Sequence, residues 1–226
     1  MATATAADEW DKAAQAVRGA AEELRGADTA ALRSWAQTNK LLSRSMWPKI
    51  KRELYKQLDI DYDTQRETET EARQQAVAAA AAAAPLVELY AAGDERGSFA
   101  VLPGPAVGAG SDADVNDAAW YGTFHEKDTI YRAGDQDSAD NSAAGKAVFL
   151  AGKVREAQGL DAVRLLLHIS NPNLDGNRLA GTAAKAGVAL ELDITDANPA
   201  CEYCERPGYQ AWQAIRLTDL LVEDDR

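Results

Sequence analysis

Histidine and cysteine are the scarcest chemistry in this chain. Its 226 residues carry two of each, His125, His168, Cys201 and Cys204. A closed zinc site needs four ligands, and Cys201-Glu-Tyr-Cys204 has no second Cys-x-x-Cys to complete one. Long apolar runs are also missing. Outside the alanine tract at 78–84 nothing approaches the ~18 apolar residues of a membrane span, so no membrane partner is expected. The start, Met1-Ala-Thr-Ala-Thr-Ala-Ala-Asp-Glu, lacks the basic head and apolar core of a secretion signal, which makes a cytoplasmic address the expectation. The abundance of alanine suggests a bacterial host.

Positive charge is the third shortage, at 24 Lys+Arg against 36 Asp+Glu. Residues 1–80 are close to neutral, with 12 basic and 13 acidic side chains, whereas residues 81–226 carry 12 against 23, a net of −11. An acidic surface of that size repels phosphate backbones on average. Any nucleic-acid contact is therefore expected in the first part of the chain.

The pattern divides near Pro85, giving an all-helical N-terminal module (1–84) and a mixed-sheet domain (85–226). In the first, Trp10, Ala13, Ala14, Val17, Ala20, Ala21 and Leu24 recur at helical spacing up to Gly26. Asp28 or Thr29 can cap a second helix carrying Leu32, Trp35, Leu41 and Leu42. Ser45 can cap a third, with Pro48 in its first turn. A fourth runs from Thr64 into the alanine tract as a spacer helix.

Beyond Pro85, Leu86-Val-Glu-Leu-Tyr-Ala-Ala-Gly93 has strand character, with Ser98-Phe-Ala-Val-Leu-Pro103 as an alternative first strand. Residues 119–125 and 129–133 are rich in aromatic and β-branched residues and are expected to form a hairpin. Residues 141–158 carry an amphipathic helical pattern. Asp161 to Ser170 is almost wholly apolar, as a strand buried on both faces would be. A helix is expected at 173–186, a fifth strand at 188–194 parallel to the fourth, and a last helix at 209–222. The fold class is thus α/β, a mixed sheet of about five strands.

Antiparallel strands, a helix and then a parallel strand, together with the Trp120-Tyr-Gly122 strand and Asn141 at the helix start, make residues 86–200 resemble the ribonuclease H-like superfamily. The resemblance implies acidic residues that hold Mg²⁺ ions for hydrolysis. Carried over residue by residue, those positions fall on Ala92, on Ala144, and on His168 or Ile169, none of them a carboxylate. A displaced site would draw on Asp94, Asp140 and Asp175, or on Asp193. The expected function is therefore a non-catalytic ribonuclease H-like binding or assembly protein in a nucleic-acid process. A divergent Mg²⁺-dependent nuclease is the alternative, and an interaction or oligomerisation module without nucleic acid is the second alternative.

Other candidate residues carry their own chemistry. Arg33, Lys40, Arg44, Lys49, Lys51, Arg52 and Lys56 stand against Glu53 alone, interleaved with Trp35, Trp47 and Tyr55. Such a segment can neutralise phosphates and stack bases, or be the wet face of a helical core. A protein partner or self-association through these helices is the other expectation. Cys201 and Cys204 can be reduced structural thiols, two zinc ligands or a redox pair, with Pro207-Gly208 favouring a turn over a helix there. His168 can be a base, a ligand or a packed side chain. The carboxylate-rich runs 111–117 and 135–140 lack the glycine and terminal glutamate of a calcium loop and read as solvated turns and caps.

Overall fold

The computed structural model describes residues 6–104 and 118–222, so the acidic runs at 111–117 and 223–225 lie outside the described residues. The chain divides into two compact units, residues 1–71 and 72–226.

The first unit holds α1 (Ala6–Gly19), α2 (Ala21–Leu24), α3 (Thr29–Thr38), α4 (Trp47–Leu58) and the first half of α5 (Tyr62–Ala81). The Asp28 carboxylate caps α3 by accepting from the Ala31 amide at 2.7 Å. That helix stops before Leu41 and Leu42. Lys40 takes a positive φ of 55°, and the Leu41 amide returns to the Ala36 carbonyl, a Schellman ending. Ser45 does not cap α4. Ser43 Oγ accepts from the Met46 amide instead, while Ser45 Oγ donates to Glu9. Val17, Leu24, Leu32, Trp35, Ile50 and Leu54 form the buried core.

The second unit is a mixed α/β structure around a five-stranded sheet in the order β3-β2-β1-β4-β5. Its strands are β1 (Leu86–Gly93), β2 (Ser98–Pro103), β3 (Trp120–Thr123), β4 (Val163–Ile169) and β5 (Val188–Ile194). β1, β2 and β3 are antiparallel neighbours, while β4 runs parallel to both β1 and β5. Helix α6 (Gln136–Ala157) packs on one face through Ala143, Ala147, Leu150, Ala151 and Val154, against Leu89, Val101, Leu165 and Leu167. Helix α7 (Gly176–Lys185) makes the crossover to β5, and the short α8 (Ala200–Cys204) covers Ala92, Ala100 and Leu102 on the other face.

In the second unit four expectations are corrected. Ser98–Pro103 is the second strand, turned back at Asp94–Gly97, where the Asp94 amide donates to the Ser98 carbonyl. Residues 129–133 form no strand because the Ile130 and Tyr131 amides donate to the Asp128 carboxylate and are lost to a ladder. Asp135, not Asn141, opens α6, its carboxylate accepting from the Ser138 amide. Residues 209–222 hold only two short 3₁₀ turns, at Trp212–Ala214 and Leu217–Leu220. Their flanks are spent on the sheet, with Gln210 pairing Tyr121 and the Val222 amide donating to the Leu86 carbonyl. Among the described residues no helix is long and apolar enough to cross a membrane.

Candidate functional site

The carboxyl ends of β1 and β4 meet the first turns of α6, and there the sheet gathers its polar side chains. Asp140 is buried on α6. One oxygen accepts from the Gly93 amide at 3.0 Å. The other accepts from Gln136 Nε2 at 2.9 Å and Asn171 Nδ2 at 3.0 Å. Asn171 also donates to Asp137, at 2.8 Å. Three donors satisfy both oxygens of a carboxylate that would otherwise be costly to bury. Ala144, one turn further along α6, lies in the hydrophobic core with no polar role. Ala92 faces the opposite side of the sheet, beneath α8.

The other displaced carboxylates do not join Asp140. Asp94 accepts from the Arg96 amide within the β1–β2 turn. Asp175 caps α7 by accepting from the Arg178 amide, and its own amide donates to Asn141. Asp193 is drawn to His168. Among the described residues no three of His, Cys, Asp and Glu are placed to hold a metal ion. A two-metal centre therefore does not fit the described side chains.

His168 anchors a second cluster, on the α8 side of the sheet. Its Nε2 lies 2.8 Å from Glu88 on β1 and its Nδ1 2.7 Å from Asp193 on β5. Tyr90 stacks on the ring at 4.6 Å. Both contacts are N–H donor bonds only when the imidazole carries both protons. Burial, then the charges of Glu88 and Asp193, push the Tyr90 phenol up. With both ring nitrogens engaged, His168 offers none to a substrate or a metal; the cluster ties three adjacent strands together. Glu88 was not singled out from the sequence. An acid between Val87 and Leu89 in an apolar strand signals a buried partner.

Cys201 and Cys204 sit on α8, a helix of five residues rather than the expected turn. Cys204 is buried and donates to the Ala92 carbonyl. Burial, with the nearby Cys201, Asp94 and Asp140, pushes its thiol up to about 12. The Cys201 thiol, although the residue is exposed, is also raised, first by partial desolvation and with a contribution from Asp140. Raised thiols are poor nucleophiles and poor metal ligands.

In the helical unit the seven basic residues separate into two groups. Lys49 pairs with Glu9 at 2.6 Å, Lys51 with Asp63 at 2.6 Å, and Lys56 with Glu53 at 3.9 Å. Arg33, Lys40, Arg44 and Arg52 are exposed and make no ion pair among the described residues. Trp35 is buried, and Trp47 packs edge-on against Tyr62 at 5.0 Å. Tyr55 alone of the three interleaved aromatics is well exposed. The acids that pair with Lys49 and Lys51 come from α1 and α5, outside the basic segment itself.

No family model, no curated protein and no solved structure matches this chain.

Proposed function

We propose that residues 85–226 form a ribonuclease H-like domain that binds or assembles rather than cleaves, in a nucleic-acid process. The succession of three antiparallel strands, a long helix, a parallel strand, a crossover helix and a further parallel strand supports the family reading. One observation carries the non-catalytic part. Asp140, the acid of α6 that faces the ends of β1 and β4, accepts from Gly93, Gln136 and Asn171. Its three donors there are amides, where a metal site needs further carboxylates. The nucleic-acid contact belongs to the helical unit and narrows to Arg33, Lys40, Arg44 and Arg52.

The deciding experiment incubates the protein with an RNA–DNA hybrid in Mg²⁺ and in Mn²⁺ and follows cleavage and binding together. Binding without cleavage supports the proposal. Metal-dependent turnover abolished by Asp140→Asn returns the nuclease reading. The ion pairs of Lys49 and Lys51 favour a second reading, an interaction module without nucleic acid, which absence of binding at low salt would select.

A further inference from the structure

The two edges of the sheet are treated differently. At the β3 edge, Tyr121 exchanges both backbone hydrogen bonds with Gln210, at 3.2 and 2.9 Å. At the β5 edge no described segment does this. The Gly187 carbonyl and the Thr195 amide bond to β4, so by the two-residue period of a strand the backbone groups of Val188, Leu190, Leu192 and Ile194 point outward. Among the described residues none of these four finds a hydrogen-bond partner across the edge. A seven-residue strand with an unpaired row of this kind is a template for strand addition.

The side chains beside that row define what fits. On one face stand Glu191 and Asp193, both exposed, with Asp196 exposed just beyond. Glu191 makes no ion pair among the described residues, while Asp193 is held by His168 yet keeps half its side-chain surface in water. On the other face are Leu190 and Leu192, partly buried against the core, and Ile194, 49% exposed. A second copy fits less well. Antiparallel self-pairing about Glu191 or Leu192 sets acid opposite acid, which is destabilising, and a register centred on Leu190 avoids this but pairs only residues 188–192 of the strand. We infer that the β5 edge accepts an extended peptide from another protein, one that alternates basic and apolar side chains. Its backbone completes the row at Leu190, Leu192 and Ile194. Its basic side chains meet Glu191 and Asp193, and its apolar ones extend the Leu192–Ile194 surface. This interface does not rest on the nucleic-acid contact proposed for the helical unit.

The test uses the full chain without nucleic acid and a capped peptide of about seven residues alternating lysine and valine, long enough to span the strand. Amide exchange should slow at Leu190, Leu192 and Ile194 when the peptide is added. A peptide of the same composition with its lysines and valines in separate blocks should bind more weakly, and an alternating glutamate–valine peptide should not bind. Ile194→Pro removes one outward N–H at an exposed edge position, where proline is tolerated, and should weaken binding roughly five- to tenfold. Glu191→Lys should weaken it about threefold or more and decides the matter if the proline variant does not fold. Equal binding of the blocked peptide, protection elsewhere in the sheet, or β5 protection by self-association without peptide overturns the proposal.

Discussion

Lys146 Nζ lies 3.2 Å from Asp128 Oδ2, with the rings of Phe99 and Phe124 at 4.7 and 5.3 Å from the ammonium. The pair joins α6 to the loop after β3, and both side chains are largely shielded. Burial alone would raise the Asp128 carboxyl. Hydrogen bonds from Ser142, the Tyr131 and Ile130 amides and Lys146 outweigh it and hold the group at about 2, below its ordinary 3.8. The folded state therefore binds this proton less readily than the unfolded chain. Its stabilisation is fully present above the unfolded value and is lost as pH falls through 3.8 toward 2. A shift of this size corresponds to about 2 kcal/mol. Urea titrations between about pH 2 and 6 should show that loss, and Asp128→Asn should flatten this part of the acid limb. The variant should also cost about 2 kcal/mol or more at neutral pH, because Lys146 is left shielded and unpaired.

The strand-linking cluster predicts unequal costs. His168→Ala removes a partner of the buried Glu88 carboxylate and the stack on Tyr90, and should destabilise by about 2 kcal/mol or more. Asp193→Ala removes a half-exposed partner and should cost about 1 kcal/mol or less. Equal losses in denaturant unfolding would refute the assignment of Glu88 as the buried half of the cluster.

Nucleic-acid affinity, measured by fluorescence anisotropy over a salt series, should follow the unpaired cations. Replacing Arg33, Lys40 and Arg44 by Ala should reduce both affinity and the salt slope, by about 0.9 in slope for each duplex phosphate that is no longer neutralised. Replacing Lys49 and Lys51 should change the slope little, since their charges are already answered by Glu9 and Asp63. A larger effect from the second pair would show that those ion pairs open on binding.

The thiols give a simple readout. With Cys204 held at about 12, almost none of it is thiolate near pH ~8, so iodoacetamide should leave it unmodified until the protein unfolds. Cys201 should react, more slowly than a free thiol. The purified chain should retain no stoichiometric Zn²⁺, as read by elemental analysis.

Much of the sheet is legible in the sequence because its central strands are so one-sided in composition. Val163–Ile169 and Leu86–Gly93 need no tertiary information to be read as strands, and Val188–Ile194 follows from the crossover. Pattern misleads where a side chain or a neighbouring strand captures backbone groups that composition would assign elsewhere. Asp128 takes the amides of Ile130 and Tyr131, converting an aromatic, β-branched run into a turn. Gln210 and Val222 give theirs to the sheet, so an amphipathic spacing from Trp212 to Leu220 does not become a helix. The site suffers from a different ambiguity. Asp140 and Ala144 are one helical turn apart, and only the packing of α6 on β1 decides which faces the strand ends. The basic segment misleads for a related reason, because Glu9 and Asp63 are distant in sequence from the lysines they neutralise.

The close approach of α6 to β1 limits what the end of that strand can carry. A Cβ on Gly93 would fall on the backbone of Ala139, and backbone cannot swing aside as a flexible side chain can. An acid at that strand position would therefore require the helix to be lifted from the sheet, together with the alanine-lined seam that Ala143 and Ala147 form beneath it. Exchanging Gly93 alone cannot bring a carboxylate to the end of β1 beside Asp140. The backbone of Ala139, more than any neighbouring side chain, thus fixes which residue this strand end can carry.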